Sequence, residues 1–289
     1  MQCYFRAVYL ALNDKHTVTQ ANCCQHLAIS CTKHWRSTTF SPPSLQQTSR
    51  PWWLRNKPAI ILVQGSFQTT LAYDALFTKL QAVGYKVALL PLPSCSDVEH
   101  EDFPTQTLIE DAAVMTKTVG GFEEGKTVVV VMHSYGGIIG SEAIPETLSY
   151  AARQANMQKG GVILVLLHGI LAREGKHSLG DFWRVAKQLR KGTSSHADGR
   201  FFIKNGASTI YSDLTSAAAT LWESRLIAQS CAVQTTGVTR PAYQYIPSTY
   251  LICENGQAIP PQIQEMFAGM AKARVERCDA GHEPTGSIG

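Results

Sequence analysis

From Lys57 onward, short continuous apolar runs alternate with stretches whose apolar residues recur at helical spacing. KPAIILVQG (57–65) is an unbroken apolar run closed by glycine, as expected of a strand buried on both faces. LAYDALFTKLQAVG (71–84) follows with helical periodicity and a glycine stop, then YKVALLPLP (85–93) as a second strand. Over 104–119, Leu108, Ala112, Met115 and Val119 form one apolar stripe, which predicts a helix. TVVVVMH (127–133) is the third strand, with a helix expected from Gly136 to about Met157. GVILVLLHG (161–169), STYLICE (248–254) and ARVERCD (273–279) are further strands, and PPQIQEMFAGMAKA (260–273) a further helix. This alternation predicts an α/β fold, a mostly parallel central sheet with helices on both faces.

Two regions break the pattern. Residues 171–247 lack strand-like apolar runs but contain DFWRVAKQLRK (181–191) and DLTSAAATLWESRLIAQS (213–230), the latter with Asp213 placed to cap it. A helical cap of about 75 residues over one end of the sheet is expected. Residues 1–56 show no sustained period and end in the linker-like SPPSLQQTSRP (41–51). They are expected to form a poorly ordered basic extension before the domain at 57–289.

Charge narrows the partners. The net charge of +4 resides in the first 57 residues, where seven Lys and Arg face only Asp14. The rest holds 19 basic and 21 acidic residues, so the body is not expected to bind nucleic acid. No apolar stretch approaches the ~20 residues of a bilayer span, and no membrane association is expected. The eight cysteines show no C-x-x-C spacing and read as reduced thiols of a cytoplasmic protein. There is no G-x-G-x-x-G after a strand, no P-loop and no metal-ligand spacing, so neither cofactor nor metal is expected.

The candidate chemistry lies at strand ends. In VVVVMHSYGG (128–137) a valine-rich strand runs into Ser134, and Gly136 and Gly137 open a helix. That is the outline of a nucleophile elbow, with Met132 where the usual first glycine stands. A serine at such a junction is otherwise an N-cap, so the motif needs company. QGSF (64–67) after the first strand supplies it: acyl transfer requires two backbone N–H groups aimed at the oxyanion, and Ser66 and Tyr135 stand at those positions. CDAGHEP (278–284) then places His282 after the last strand, where the order Ser…acid…His requires the base.

These segments, with IYSDLTSAAATLWESRLIAQS and IPSTYLICENGQAIPPQIQ, resemble the α/β-hydrolase superfamily over most of 57–284. They are most similar to small fungal hydrolases related to plant methylesterases and hydroxynitrile lyases. The resemblance implies Ser134 as nucleophile, His282 as base, and the N–H groups of Ser66 and Tyr135 as oxyanion donors. The chain departs from that pattern twice. Relatives carry an aspartate in the loop after STYLICE, and here Gly256 stands in its place. Glu254, two residues earlier, is the nearest substitute, ahead of Asp279 and Asp213. Relatives also continue past the histidine into a terminal helix, which is expected to be missing because the chain stops at Gly289.

The expected activity is hydrolysis of an ester, thioester or related carbonyl bond of a small molecule. By analogy with the fungal relatives, a role in secondary metabolism is implied. A lyase or isomerase would use the same Ser-His pocket, and a catalytically impaired binding protein would account for Gly256.

Overall fold

Valine-, isoleucine- and leucine-rich strands of five to seven residues have no polar face to offer water, so they are stable only between two layers of helix. The computed structural model describes residues 57–122, 125–175 and 193–283 and shows this arrangement. In chain order its main elements are β1 (Ala59–Val63), α1 (Asp74–Ala82), β2 (Lys86–Leu89), α2 (Leu108–Gly120), β3 (Thr127–His133) and α3 (Gly136–Ala143). There follow α4 (Tyr150–Ala155), β4 (Gly161–Leu167), β5 (Thr193–Ser195), β6 (Arg200–Ile203), α5 (Gly206–Thr209) and α6 (Ser216–Glu223). The last are β7 (Gln229–Ser230), β8 (Ser248–Cys253), α7 (Pro261–Met270) and β9 (Arg274–Cys278).

Six strands form one sheet in the order β2-β1-β3-β4-β8-β9, and every neighbouring pair is parallel. Alternate residues of the central strands serve opposite faces. Ile61, Val63, Val128, Val130 and Met132 pack with Leu108 and Met115 of α2, Ile138 of α3 and Phe267 of α7. Ile60, Leu62, Val129 and Val131 pack with Leu76 and Leu80 of α1. Helices therefore cover both faces, as the sequence pattern predicts. α2 begins with a reciprocal capping box between Thr107 and Glu110, a feature legible in TLIE.

Three expectations change. The helix from Gly136 stops at Ala143, because Pro145 cannot continue it, and α4 resumes only at Tyr150. The cap is not purely helical, since β5, β6 and β7 form a small antiparallel sheet inside it. Those strands are two to four residues long, too short to carry a readable period. Within 213–230, α6 is capped by Thr215 rather than Asp213 and gives way to β7. The segment 181–191, the extension 1–56 and the last six positions lie outside the described residues.

Candidate active site

In a parallel sheet the carboxyl ends of all strands open on the same side, and there the candidate residues gather. Ser134 directly follows β3 with φ of +50°, a left-handed conformation that costs a non-glycine residue about 1–3 kcal/mol. Phe67, after β1, and His168, after β4, are strained likewise, at +65° and +54°.

The two glycines behind Ser134 are steric requirements. A Cβ at Gly136 would lie 2.7 Å from the Val63 carbonyl oxygen, and one at Gly137 2.5 Å from that of Ile170. The turn is tied by the Gly137 and Ile170 N–H groups, both donating to the Ser134 carbonyl at 3.0 and 2.8 Å. Met132, the apparent irregularity, is buried over Gly140, where a Cβ would come 2.0 Å from its Sδ. A glycine one turn into α3 thus restores the room that the usual elbow glycine provides.

His133 joins this elbow to the final loop. Its Nε2–H donates to the His282 carbonyl at 2.8 Å, and its Nδ1 lies 2.6 Å from Tyr73 Oη. The His133 and His282 rings are 4.9 Å apart at their centres. Tyr73 Oη also accepts from the Gly65 amide at 3.2 Å, so one phenol braces the QGSF turn and the elbow together. Beside them Glu283, 1% exposed, accepts from Gln68 Nε2 at 2.6 Å and has a carboxylate oxygen 3.5 Å from His133 Nδ1. Ser66 is half-buried next to this turn, and Tyr135 is fully buried behind Ser134.

Below the elbow, Tyr135 Oη donates to Asp111 at 2.9 Å. Asp111 also accepts from the Ser94 amide at 3.0 Å and the Ser94 hydroxyl at 2.6 Å. Burial nevertheless pushes its carboxyl up to about 6, because three neutral donors do not replace bulk water. The same burial, reinforced by the Asp111 charge, drives the Tyr135 phenol well above its usual range.

His282 itself is 5% exposed. Burial first, then the neighbouring His168 and His133, hold its imidazole well below its ordinary range, so it is neutral near pH 7. Its Nδ1 is buried and has no hydrogen-bond partner among the described residues. The loop carrying it is anchored one residue earlier, where the Gly281 N–H donates to Asp213 Oδ2 of the cap at 2.7 Å. The cap also holds the QGSF turn, through the Ile227 N–H donating to the Phe67 carbonyl at 2.9 Å and through Phe67 packing on Phe201.

The QGSF turn therefore meets the elbow where Gly65 approaches Ser134, and the elbow meets the His282 loop through His133. Glu254 does not join them. Its carboxylate accepts from Arg277 Nη1 at 2.8 Å, with 35% of the side chain exposed, because residue 254 follows the last paired position of β8 and turns toward the edge strand. Four polar residues around the site escaped sequence reasoning: Tyr73, Asp111, His168 and Glu283. Of these only His168 had a readable signal, its place directly after an apolar strand. Among the described residues no group of His, Cys, Asp and Glu is arranged to hold a metal ion, and no helix is long and apolar enough to cross a membrane.

The Alpha/beta hydrolase family model matches residues 60–287, which spans the sheet, the elbow and the histidine loop. The chain belongs to that family. Among its relatives is the alpha/beta hydrolase nvfD of Aspergillus novofumigatus (strain IBT 16806), 28% identical over 233 residues, covering 79% of this chain and 90% of the relative. A probable hydrolase, R7, of Phoma sp. (strain ATCC 20986 / MF5453), is 29% identical over 243 residues, covering 80% and 93%. In fold, the chain is similar to the pyrethroid hydrolase of Sphingobium faniae JZ-2, with a TM-score of 0.61 at 18% identity, covering 80% of this chain and 92% of that one.

Proposed function

We propose that this hydrolase cleaves an ester, thioester or related carbonyl bond of a small molecule by a serine mechanism. The observation that carries the reading is the strained Ser134 at the end of β3, joined through His133 to the loop that bears His282. Strain at a strand-to-helix turn lifts a side chain out of the sheet, and a buried neutral imidazole in the adjoining loop is suited to act as a base. Relatives bearing hydrolase names support the same class.

In this reading Ser134 Oγ attacks the substrate carbonyl while His282 Nε2 takes the hydroxyl proton. The tetrahedral oxyanion is held by the backbone N–H groups of Ser66 and Tyr135. His282 returns the proton to the leaving alcohol or thiol, leaving an acyl-enzyme on Ser134. Water, deprotonated by the same imidazole, attacks the acyl carbon; collapse of the second tetrahedral intermediate releases the acid and regenerates the serine. A fungal biosynthetic role is proposed by analogy with the relatives.

A fluorophosphonate probe tests this directly. Labelling of one tryptic peptide at Ser134, lost in Ser134→Ala and in His282→Ala, is the expected result. Absence of labelling together with no turnover of short-chain p-nitrophenyl esters would make the non-catalytic reading the better one.

A further inference from the structure

We propose that His168 is the positioning partner of His282, standing in the space where relatives place a carboxylate. The inference rests on the preceding reading of His282 as the base.

The position that would carry the acid is Gly256, and the space above it is taken. A Cβ at Gly256 would lie 2.3 Å from His168 Cε1 and 3.0 Å from its Nε2. The same ring reaches His282, with ring centres 4.5 Å apart in an edge-on arrangement. His168 therefore fills the volume between residue 256 and the base. Its backbone is strained to do so, at φ of +54°, and its side chain is fully buried.

The tautomers are complementary. His168 Nε2 lies 2.9 Å from the Ile259 carbonyl oxygen, which can only accept, so Nε2 carries the proton and Nδ1 is left as a lone pair. A base that receives a proton from Ser134 at Nε2 must carry its own proton at Nδ1. The two buried Nδ1 atoms that lack partners are thus one acceptor and one donor on adjacent rings. The Ile259 carbonyl holds the His168 ring in that tautomer, and the hydrogen bond between the two rings is expected to form as the site tightens around substrate.

The neighbouring carboxylates are engaged elsewhere: Glu254 by Arg277, Asp213 by the Gly281 amide, and Glu283 by Gln68 beside His133. An imidazole orients the base as a carboxylate would, but supplies no negative charge to the imidazolium that forms. The arrangement fixes the tautomer and gives up electrostatic support.

The test combines variants with a measurement on the unaltered protein. His168→Phe keeps a planar ring without nitrogens and is expected to lower kcat about 100-fold, with KM changed little and Ser134 still present for slow labelling. Gly256→Asp in a His168→Ala background restores the carboxylate. It is expected to exceed His168→Ala in kcat by about tenfold and to move the acid limb of kcat/KM up by about one pH unit or more, since a charge now faces His282. A purely structural role for His168 predicts neither the gain nor the pH shift. In wild-type protein labelled with 15N-histidine, His168 is expected to be protonated at Nε2 and His282 at Nδ1. His168→Phe with wild-type kcat, or His168 protonated at Nδ1, would overturn the inference while leaving the serine mechanism standing. Wild-type protein that resists the fluorophosphonate would overturn both.

Discussion

Asp213 of the cap accepts the backbone N–H of Gly281 at 2.7 Å, one residue before His282. A carboxylate on an amide adjacent to the base fixes the loop without touching the imidazole. Asp213→Ala is expected to lower kcat about tenfold, below the 1.5–3 kcal/mol of a buried charge-assisted bond because Asp213 is exposed. Steady-state kinetics on a p-nitrophenyl ester, with the melting temperature recorded alongside, checks this. The melting temperature should fall only slightly.

The elbow's lower support gives a stability signature. With its carboxyl raised from 3.8 to about 6, Asp111 stabilises the fold fully below pH 3.8 and loses that contribution as pH rises through about 6. The difference amounts to about 3 kcal/mol. Asp111→Asn should therefore gain about that much relative to wild type between pH 4 and pH 7. Urea unfolding of both proteins at the two values measures the gain.

The histidines run in the opposite sense. His168, pushed down to about 3 by burial, favours the fold above pH 6.5, and that contribution is lost as pH falls through about 3. His282 shifts in the same direction for the same cause. For catalysis this means that kcat/KM should stay flat as pH is lowered through 6.5, with its acid limb displaced well below the range of an ordinary histidine. A limb centred near 6.5 would show that the base is not so buried.

Tyr135 separates backbone from side-chain roles. Its proposed contribution to the oxyanion is a backbone N–H, while its hydroxyl serves Asp111. Tyr135→Phe should cost about 1–3 kcal/mol of stability by leaving a buried carboxylate short of a donor. It should keep kcat within about threefold, because the amide stays where it was. Chemical denaturation and kinetics on the same preparation resolve the two effects.

Glu254 is expected to be dispensable. Its pairing with Arg277 is at the surface, where such bonds are worth about 0–1 kcal/mol. Glu254→Gln should leave kcat/KM within about twofold of wild type, in contrast to changes at His168.

The strands and their order of appearance were legible because each central strand is a run of β-branched and leucine residues with no competing helical period. Ser134, the QGSF turn and His282 could be singled out because strand-end context and chain order narrow the choice of residues, and the structure places each of them after a strand of the sheet. The acid position was legible only as an absence at Gly256. What fills it comes from β4, nearly ninety residues earlier, through a long-range contact that no local spacing encodes. The same limit hid Asp213: as a helix cap it obeyed a local rule, yet its partner is Gly281 in another part of the chain. The small cap sheet was missed for a different reason, since strands of two to four residues owe their existence to the partner strand rather than to their own composition.

The left-handed backbones at Phe67, Ser134 and His168 set a ceiling on what this protein can gain through drift. At each of them glycine would relieve strain, and at two of them glycine would also delete the proposed chemistry. Thermal robustness and the proposed reactivity therefore compete at Ser134 and His168.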